Sequence, residues 1–250
     1  MRPTRAMVLA AGLGTRLRPL TDAVPKPMLP VRGKPLLEHH VEALAAAGVR
    51  EIVINLHHFP GVIVDHFGDG RRWAVRITYS HEPELLGTAG AVKRVAHLFP
   101  EPFFVLYGDN YLRCDLVALA GLHERAGAVA SLALFGLEDV SGSGVAEVAP
   151  DGRILRFVEK PCPGETQSRL VNAGAYVLSP SALAWVPAGR SADFGRDVFP
   201  AMVVAGARLY GFVMLEGGVE GVDSPDLYRR VTAAASGSAG TPGERGACDG

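Results

Sequence analysis

Apolar and polar positions along this chain follow two alternating patterns. In some stretches, apolar residues form short runs bounded by turn residues, as is typical of buried strands. In others, apolar residues recur every three or four positions, as is typical of amphipathic helices. Strands that alternate with helices predict right-handed crossovers and a mostly parallel sheet. The predicted strands span residues 6–9, 51–55, 74–79, 102–107, 128–136, 144–149, 153–160, 171–178 and 207–215.

The residues between these stretches predict where elements begin and turn. Pro35 suits the start of a helix whose apolar residues repeat at helical spacing and which ends at Gly48. Thr88 is placed to cap a second helix with its hydroxyl. Asp151 and Gly152 separate two predicted strands and indicate a hairpin, which inserts an antiparallel pair in the second half of the chain. The predicted fold class is therefore α/β.

Composition limits the domain organisation and the partners. With 250 residues and 48% hydrophobic content, the chain is long enough for one domain with a sizeable core, predicted over residues 1–234. Residues 235–250 are rich in glycine and serine and predict a disordered tail. A net charge of -1 favours neither nucleic acid nor an anionic membrane as a partner. Without a membrane-length apolar run or a signal-peptide pattern, a cytoplasmic location is expected. The sequence does not determine the oligomeric state, and a homo-oligomer stays open.

The segment from Leu9 to Val31, LAAGLGTRLRPLTDAVPKPMLPV, carries the strongest chemical signal. Small residues after a buried strand let the backbone approach a ligand, and its glycines can take φ values that aim N–H groups at phosphate oxygens. Arg16 adds a planar charged fork, and Lys26 is held between two prolines that stiffen its backbone. The segment predicts a site for a nucleoside triphosphate. The predicted nucleotide contacts here are Leu9, Ala11, Gly12, Gly14, Thr15 and Arg16.

Two better-known phosphate loops do not fit this segment. A Walker A loop ends in Gly-Lys-Ser/Thr, whereas Gly14 is followed by Thr15 and Arg16. A dinucleotide fingerprint needs a third glycine where this chain has Leu17. A P-loop protein and an oxidoreductase are therefore disfavoured.

Taken whole, the segment resembles the signature of the sugar-phosphate nucleotidyltransferase family, GxGTRLxPLTxxxPKxMxPV. The resemblance covers most of residues 1–230 and is strongest to mannose-1-phosphate guanylyltransferases. It implies a single Rossmann-like α/β domain with a mixed, mostly parallel central sheet flanked by helices and a small antiparallel insertion on the sugar-binding side. The other matching blocks are GTAGA at 87–91, YGDN at 107–110, FVEKP at 157–161 and NAGAY at 172–176.

The resemblance implies Mg²⁺-dependent transfer of a nucleotidyl group from an NTP to a sugar 1-phosphate. A phosphate oxygen of the sugar attacks the α phosphorus in line, pyrophosphate leaves and an NDP-sugar forms. Arg16, Lys26 and Asp109 are the expected catalytic residues, and GTP with mannose- or heptose-1-phosphate is the expected substrate pair. The alternatives are a uridylyl- or thymidylyltransferase acting on glucose-1-phosphate or another phosphate acceptor, and a non-catalytic regulatory subunit that binds nucleotide sugars.

Two aspartates are predicted to hold Mg²⁺. Asp109 follows the apolar run 103–107, and ligands bind at the carboxyl ends of strands in open α/β sheets. Because Mg²⁺ takes one or two carboxylates beside phosphate oxygens, a second carboxylate is expected. Many family members have an aspartate where this chain has Gly221, and Asp223 two positions later is the predicted second ligand. The competing interpretation is that Asp223 or Ser224 caps a helix.

Glu82 is the residue predicted to recognise the base. It stands where uridylyl- and thymidylyltransferases resemble one another in having glutamine. An ionised carboxylate only accepts hydrogen bonds, and guanine offers two adjacent donors, N1–H and the 2-amino group. Glu82 therefore favours guanine, although a surface carboxylate near a strand end is the alternative. Gly87 and Thr88, in a block similar to that of guanylyltransferases, are also predicted to contact the nucleotide.

The acceptor sugar phosphate is expected against the second half of the chain. Glu159 can accept hydrogen bonds from sugar hydroxyls, and Lys160 can pair with the phosphate. By resemblance, Asn110, Gly144 and Asn172 complete this pocket.

Other conspicuous residues receive no chemical role. The histidine pairs at 39–40 and 57–58 lack the helical spacing of a zinc pair and are predicted to be structural or exposed. Residues 193–197, DFGRD, resemble a family segment without an assigned role. The three cysteines of the chain are Cys114, Cys162 and Cys248. Their wide spacing predicts reduced thiols rather than a disulfide framework.

Overall fold

The computed structural model describes residues 2–214 and 218–233, which fold into alternating strands and helices. The strands are β1 (Arg5–Leu9), β2 (Pro30–Val31), β3 (Lys34–Pro35), β4 (Glu51–Leu56), β5 (Arg76–His81), β6 (Phe103–Tyr107), β7 (Asn110–Leu112), β8 (Ala130–Gly136), β9 (Gly144–Val148), β10 (Ile154–Glu159), β11 (Leu170–Leu178), β12 (Leu209–Val213) and β13 (Val219–Gly221). The helices are α1 (Leu36–Ala46), α2 (Pro60–Phe67), α3 (Gly87–Arg94), α4 (Leu116–Ala126), α5 (Phe199–Val204) and α6 (Pro225–Ala233).

Nine strands form one large sheet. Its order is β10-β9-β11-β6-β1-β4-β5, and β8 extends it by pairing with both β11 and β12. β1 pairs in parallel with β4 and β6, and β4 pairs in parallel with β5, so the carboxyl ends of these strands share one edge. β11 is antiparallel to β6, β8 and β9. The predicted mixed, mostly parallel sheet is confirmed.

The central strands are apolar on both faces because helices cover both sides of the sheet. Successive side chains of a strand point to opposite faces, so neighbouring residues of β1 enter different cores. Met7 packs into the core that contains Val92 of α3 and Phe199 of α5. Val8 packs into the core that contains Leu37 of α1 and Leu119 of α4.

Helix α1 agrees closely with its sequence pattern. Pro35 immediately precedes its first residue, and the apolar positions at helical spacing are buried. The chain leaves the helix through Gly48, whose φ of 99° lies in the left-handed region that glycine adopts without strain. The backbone N–H of Val49 then donates to Leu44 O at 3.0 Å.

The predicted cap of the second helix is wrong. α3 begins at Gly87 after Leu86, whose side chain makes no capping hydrogen bond, so Thr88 lies inside the first turn. The Thr88 hydroxyl instead donates to Asp193 Oδ2 at 2.7 Å. A partner 105 positions away in the sequence therefore takes the hydroxyl that local pattern assigned to the helix end.

The predicted hairpin is present between β9 and β10. Asp151 Oδ1 accepts from Arg153 N at 3.0 Å, and Gly152 has a φ of 87°. The hairpin extends the large sheet through the pairing of Val145 with Val171 rather than forming a separate layer. Two further antiparallel pairs, β2 with β3 and β7 with β13, were not predicted because strands of two or three residues leave no apolar run to detect.

Two predictions fall outside the described residues. The tail predicted over 235–250 lies there, and so does Cys248. Among the helices of the described ranges, none is long and apolar enough to span a bilayer.

His123 of α4 is buried in a polar contact with two serines. Its Nε2 lies 3.1 Å from Ser179 Oγ, and its Nδ1 lies 3.1 Å from Ser131 Oγ. Ser179 donates its own hydroxyl proton to Ala128 O at 3.0 Å, so its oxygen accepts from His123 Nε2–H. Nδ1 then accepts from Ser131, and the ring is neutral. Burial lowers the pKa of His123 to about 4.

We expect the fold to lose stability through His123 as the pH falls from 7 to 5. The unfolded chain takes up this proton near pH 6.5 and the folded chain only near pH 4, so the folded state is stabilised above pH 6.5 and loses that stability on acidification. The loss is about 2 kcal/mol at pH 5. Denaturant unfolding at both pH values measures it.

His123→Gln is the control for this titration, because glutamine does not ionise. Its unfolding free energy should be lower at pH 7 but should fall less between pH 7 and pH 5. Equal pH dependence in the two proteins would contradict the assignment.

Candidate active site

A cleft of about 450 Å³ opens at the carboxyl ends of β1, β4 and β6. Ligands bind at this edge in open α/β sheets. Lys26, Asp109 and Asp223 line the cleft, and so does every residue that the sequence predicts for the nucleotide. Those residues are Leu9, Ala11, Gly12, Gly14, Thr15, Arg16, Glu82, Gly87 and Thr88.

Gly14 shapes the turn that follows β1. Its φ is 62°, and a Cβ added there would lie 3.1 Å from Thr21 Cγ2 and 3.2 Å from Lys26 Cβ. Its carbonyl accepts from Thr21 Oγ1 at 2.9 Å, which holds the turn against the following segment. Gly12 differs from the prediction, because its φ is not left-handed and nothing lies within 4 Å of its Cβ position. Its missing side chain leaves space in the cleft instead.

Lys26 is buried, with only 7% of its side chain exposed. It begins a 3₁₀ turn, Lys26–Met28, in which Met28 N donates to Pro25 O at 2.8 Å. The two flanking prolines restrict this backbone. The Lys26 ammonium lies 2.8 Å from Asp223 Oδ1 and 3.3 Å from Asp109 Oδ2. Two carboxylates thus compensate the burial of one ammonium.

Asp109 enters the cleft because β6 packs closely against the end of β1. Gly108 N donates to Leu9 O at 2.9 Å, and a Cβ on Gly108 would lie 2.9 Å from the same oxygen. The chain therefore turns into the cleft directly after β6. Oδ2 of Asp109 faces Lys26, whereas Oδ1 is buried without a hydrogen-bond partner in the described part of the chain. A ligand is the expected partner of such an orphaned oxygen.

Asp223 reaches the same place through β13. β13 pairs with β7, with Gly221 opposite Asn110, so the residues that follow β13 lie beside Asp109. Ser224 Oγ accepts from Leu227 N at 3.3 Å and caps α6. Asp223 Oδ1 instead accepts from Lys26 and from Arg16 Nη2, the latter at 2.9 Å. The capping interpretation is therefore right for Ser224 and wrong for Asp223.

Four charged side chains thus meet at one end of the cleft, which we call the charged end. The guanidinium of Arg16 is largely exposed, whereas the ammonium of Lys26 is buried between the carboxylates of Asp109 and Asp223. Two carboxylates, one with an orphaned oxygen, are hard donors that fit Mg²⁺. Within residues 2–214 and 218–233, no group of three or more protein ligands could hold a metal, so such an ion would need phosphate or water oxygens as well.

Glu82 is a buried carboxylate with 1% of the residue exposed. It lines the cleft directly after β5, three strands along the sheet from β6, which Asp109 follows. Its Oε1 accepts from Asn55 Nδ2 at 2.8 Å, and its Oε2 accepts from Leu86 N at 3.1 Å. Its backbone oxygen lies 2.7 Å from His57 Nδ1. The alternative of a surface carboxylate is wrong. Both side-chain oxygens already have protein donors, and each keeps a further lone pair.

The residues predicted for the acceptor lie outside the lining of this cleft. Gly144, Glu159 and Asn172 lie on the adjoining strands β9, β10 and β11 of the large sheet, whereas Asn110 begins β7 of the small sheet. Gly144 of β9 stands opposite Glu159 of β10. A Cβ on Gly144 would lie 2.6 Å from Glu159 Oε2, and a Cβ on Gly195 would collide with the same oxygen. The Glu159 carboxylate therefore occupies a slot between two glycines. Burial, followed by the negative charge of Asp193, raises the pKa of Glu159.

The other predicted acceptor residues differ in how free their polar atoms are. Asn172 Nδ2 donates to Tyr176 OH at 2.7 Å and its Oδ1 accepts from Gly174 N at 3.0 Å, so protein partners occupy its amide. Lys160 is exposed directly after β10. Asn110 Oδ1 is buried without a hydrogen-bond partner among the described residues.

The segment 193–197, for which no role is predicted, joins the two parts of the site. Asp193 Oδ2 accepts from Thr88, and Asp193 Oδ1 accepts from Gly195 N at 2.9 Å. Phe194 N donates to Thr88 Oγ1 at 2.9 Å. This segment therefore fixes the first turn of α3, which faces the cleft, next to the slot that holds Glu159.

Several lining residues escaped prediction. Asn55 is the informative one, because a polar side chain in the apolar run EIVINL, at the carboxyl end of a parallel strand, is a detectable signal. It is 4% exposed. The full set is Ala10, Leu13, Leu17, Pro27, Asn55, Leu85 and Tyr107.

The histidine pairs support backbone rather than metal. His40 Nε2 lies 2.9 Å from Asn110 O, and His39 Nε2 lies 2.8 Å from Val31 O. Burial lowers the pKa of His40 to about 4, so its ring is neutral. Cys114 and Cys162 are free thiols, as predicted.

The chain matches the model of the family described as Nucleotidyl transferase over residues 5–217. It is 36% identical over 241 residues to the UTP--glucose-1-phosphate uridylyltransferase of Synechocystis sp., which covers 91% of this chain and 62% of that protein. It is 36% identical over 210 residues to the mannose-1-phosphate guanylyltransferase of Mycobacterium tuberculosis, which covers 83% of this chain and 58% of that protein. The chain therefore spans about three fifths of the length of these curated relatives.

Among solved structures, HddC from Yersinia pseudotuberculosis complexed with GMP-PN is similar to the chain with a TM-score of 0.75 and 25% identity. The similarity covers 92% of this chain and 98% of that chain. The family match spans most of the chain and includes the Gly14 turn, Lys26 and Asp109, whereas Asp223 lies beyond its last matched residue. This chain belongs to the nucleotidyl transferase family.

Proposed function

We propose that this protein transfers a nucleotidyl group from an NTP to a sugar 1-phosphate and releases pyrophosphate. The observation that carries the proposal is the convergence of Arg16, Lys26, Asp109 and Asp223 beside the Gly14 turn, in a cleft of about 450 Å³. The relatives named for uridylyl and guanylyl transfer to sugar 1-phosphates support the same reaction class.

In this reaction an oxygen of the sugar phosphate forms a bond to the α phosphorus of the NTP. The bond from that phosphorus to the bridging oxygen breaks, and its electron pair leaves with pyrophosphate. The attacking phosphate is an anion near neutral pH, so positioning and charge neutralisation are needed rather than a general base. Lys26, on its restrained turn, and Arg16 supply positive charge beside the phosphates.

Asp109 and Asp223 are the residues that would hold Mg²⁺. Their convergence and the orphaned Oδ1 of Asp109 support this assignment. When bound, the ion supplies neutralisation of charge that develops on the phosphate oxygens.

The acceptor would lie beside Glu159. A carboxylate in a slot between Gly144 and Gly195 is held in place to accept hydrogen bonds from sugar hydroxyls. Lys160, next along the chain, would pair with the acceptor phosphate, and the orphaned Oδ1 of Asn110 would accept from a ligand donor. Mannose- or heptose-1-phosphate is the proposed acceptor.

GTP is the proposed donor. Glu82 is a buried hydrogen-bond acceptor at the end of the cleft away from the charged cluster, and guanine presents two adjacent donors. The guanylyltransferase of M. tuberculosis and the HddC complex with GMP-PN agree with this choice. UTP is the second candidate, because the Synechocystis relative aligned over 91% of this chain is named as a uridylyltransferase.

Pyrophosphate release with Mg²⁺ tests donor and acceptor together. GTP, UTP, dTTP, CTP and ATP are each combined with mannose-, glucose- and heptose-1-phosphate. We expect the highest kcat/KM with GTP. All five nucleotides carry the same phosphates, but among their bases guanine alone presents two adjacent N–H donors to Glu82. Turnover with pyrimidine nucleotides alone would overturn the base assignment, and no turnover with any pair would overturn the proposed reaction.

Lys26→Ala and Asp109→Ala are each expected to lower kcat by about 100-fold or more, since each removes a group preorganised around the reacting phosphate. Both proteins should remain folded, as judged by thermal unfolding. Lys34→Ala is the matched control, because Lys34 pairs with Glu42 away from the cleft and should turn over normally. Near-normal kcat in either cleft variant would refute the role given to that residue.

Removal of divalent ions with EDTA is expected to abolish turnover, and added Mg²⁺ should restore it. Asp223→Asn should raise the Mg²⁺ concentration needed for half-maximal activity by about tenfold or more. Asp226→Asn, which changes an exposed aspartate three positions away, serves as the control. Calorimetric titration of Mn²⁺ into protein with nucleotide gives a direct binding measurement, and equal affinity for both variants would argue against Asp223 as a ligand.

A further inference from the structure

A chain of three hydrogen bonds crosses the base end of the cleft. Ala10 N donates to Asn55 Oδ1 at 2.7 Å, and Asn55 Nδ2 donates to Glu82 Oε1 at 2.8 Å. Leu86 N then donates to Glu82 Oε2 at 3.1 Å. Asn55 and Glu82 are almost completely buried, so water cannot readily replace any of these partners.

The orientation of the Asn55 amide follows from its neighbours. A backbone N–H only donates, so the side-chain oxygen of Asn55 must face Ala10 N–H and its NH₂ group must face Glu82. The backbone N–H of Leu86 is a second obligatory donor to the Glu82 side chain. Position 82 therefore needs two acceptors, which a carboxylate provides. A glutamine has one oxygen and would turn its NH₂ group against one of the two donors.

Among the described residues, no cation pairs with the Glu82 carboxylate. Its hydrogen-bond donors in the described part of the chain are neutral amides, from Asn55 and Leu86. A buried anion that neutral groups alone stabilise favours further hydrogen-bond donors from a ligand, and its oxygens have the lone pairs to accept them.

We propose that Asn55 is a positioning residue that sets base specificity, because it holds Glu82 as a carboxylate acceptor and thereby favours a base with adjacent N–H donors. Asn55 acts through Glu82 and does not need to touch the substrate. The inference rests on the proposed nucleotidyl transfer and deepens it by naming the residue that selects the class of base.

A double exchange, N55D with E82Q, separates this role from a structural one. The introduced carboxylate at 55 accepts from Ala10 N–H and from the introduced amide at 82, whose oxygen accepts from Leu86 N–H. All three hydrogen bonds and the buried negative charge are kept, but the charge moves from position 82 to position 55. The GTP-to-UTP ratio of kcat/KM and the thermal unfolding midpoint are measured for the parent, both single variants and the double variant.

We expect each single variant to lose both stability and selectivity. In N55D two carboxylates face each other, and in E82Q two hydrogen-bond donors face each other. The double variant should regain most of the unfolding midpoint, while its GTP-to-UTP ratio stays about tenfold or more below that of the parent. A ratio that returns to the parent value together with stability would overturn the inference, because the pair would then be a structural contact only.

Glu38→Gln is the control for the loss of a buried carboxylate. Glu38 is 6% exposed and lies 2.8 Å from His66 Nε2, and it does not line the cleft. This variant should lower the unfolding midpoint and leave the GTP-to-UTP ratio unchanged. A change in its ratio as large as that of E82Q would also overturn the inference.

Calorimetric binding of GDP and UDP distinguishes failure of the inference from failure of the proposed function. If the parent turns over no nucleotide but prefers GDP, and the double variant loses that preference, the inference stands and the reaction is wrong. If the parent transfers a nucleotidyl group and the double variant keeps the parent's preference, the inference alone fails. Should the double variant not fold, Asn55→Ser, which removes the NH₂ group, must lower the GDP-to-UDP affinity ratio, and an unchanged ratio overturns the inference.

Discussion

The contact of one buried ammonium with two carboxylates organises the charged end of the cleft. Lys26 Nζ lies 2.8 Å from Asp223 and 3.3 Å from Asp109. The three residues come from separate parts of the chain, namely a 3₁₀ turn, the end of β6 and the residues after β13. The carboxylates of Asp109 and Asp223 both lie within 3.3 Å of this ammonium and would repel each other without a cation. The ammonium therefore stabilises their approach. The same charges are available to phosphate groups and to a divalent ion.

The two ends of the cleft use charge in different ways. At the charged end, cations and anions are paired with one another, so a phosphate or metal ion bound there, as proposed, would exchange one ionic partner for another. At the base end, Glu82 is held by the neutral donors of Asn55 and Leu86. Exchange of partners is costly there because the groups are buried, and an unpaired buried polar group is unfavourable. Such a site suits recognition of a fixed hydrogen-bond pattern, whereas the charged end suits the proposed transfer reaction.

The junction at 193–197 connects the cleft to the slot that holds Glu159. Asp193 accepts from Thr88 in the first turn of α3, and Gly195 leaves room for the carboxylate of Glu159. One short segment therefore contacts Thr88, which lines the cleft, and Glu159, which we propose for the acceptor. The proposed in-line transfer would need both substrates held in a fixed relative position, and these shared contacts would favour that.

Local patterns in the sequence determined much of this protein. Hydrophobic periodicity and turn residues depend on backbone geometry over a few positions. They predict the order of long strands, helix α1, the hairpin at Asp151 and the Gly14 turn. The sequence could not decide whether Asp223 caps a helix or enters the cleft, because an aspartate suits both roles. Nor did it predict the partners of Thr88, Lys26 or Glu82. Only tertiary structure decided those, since the pairing of β7 with β13 and the contacts of Asp193 and Asn55 join residues far apart in the chain through packing that no local pattern encodes.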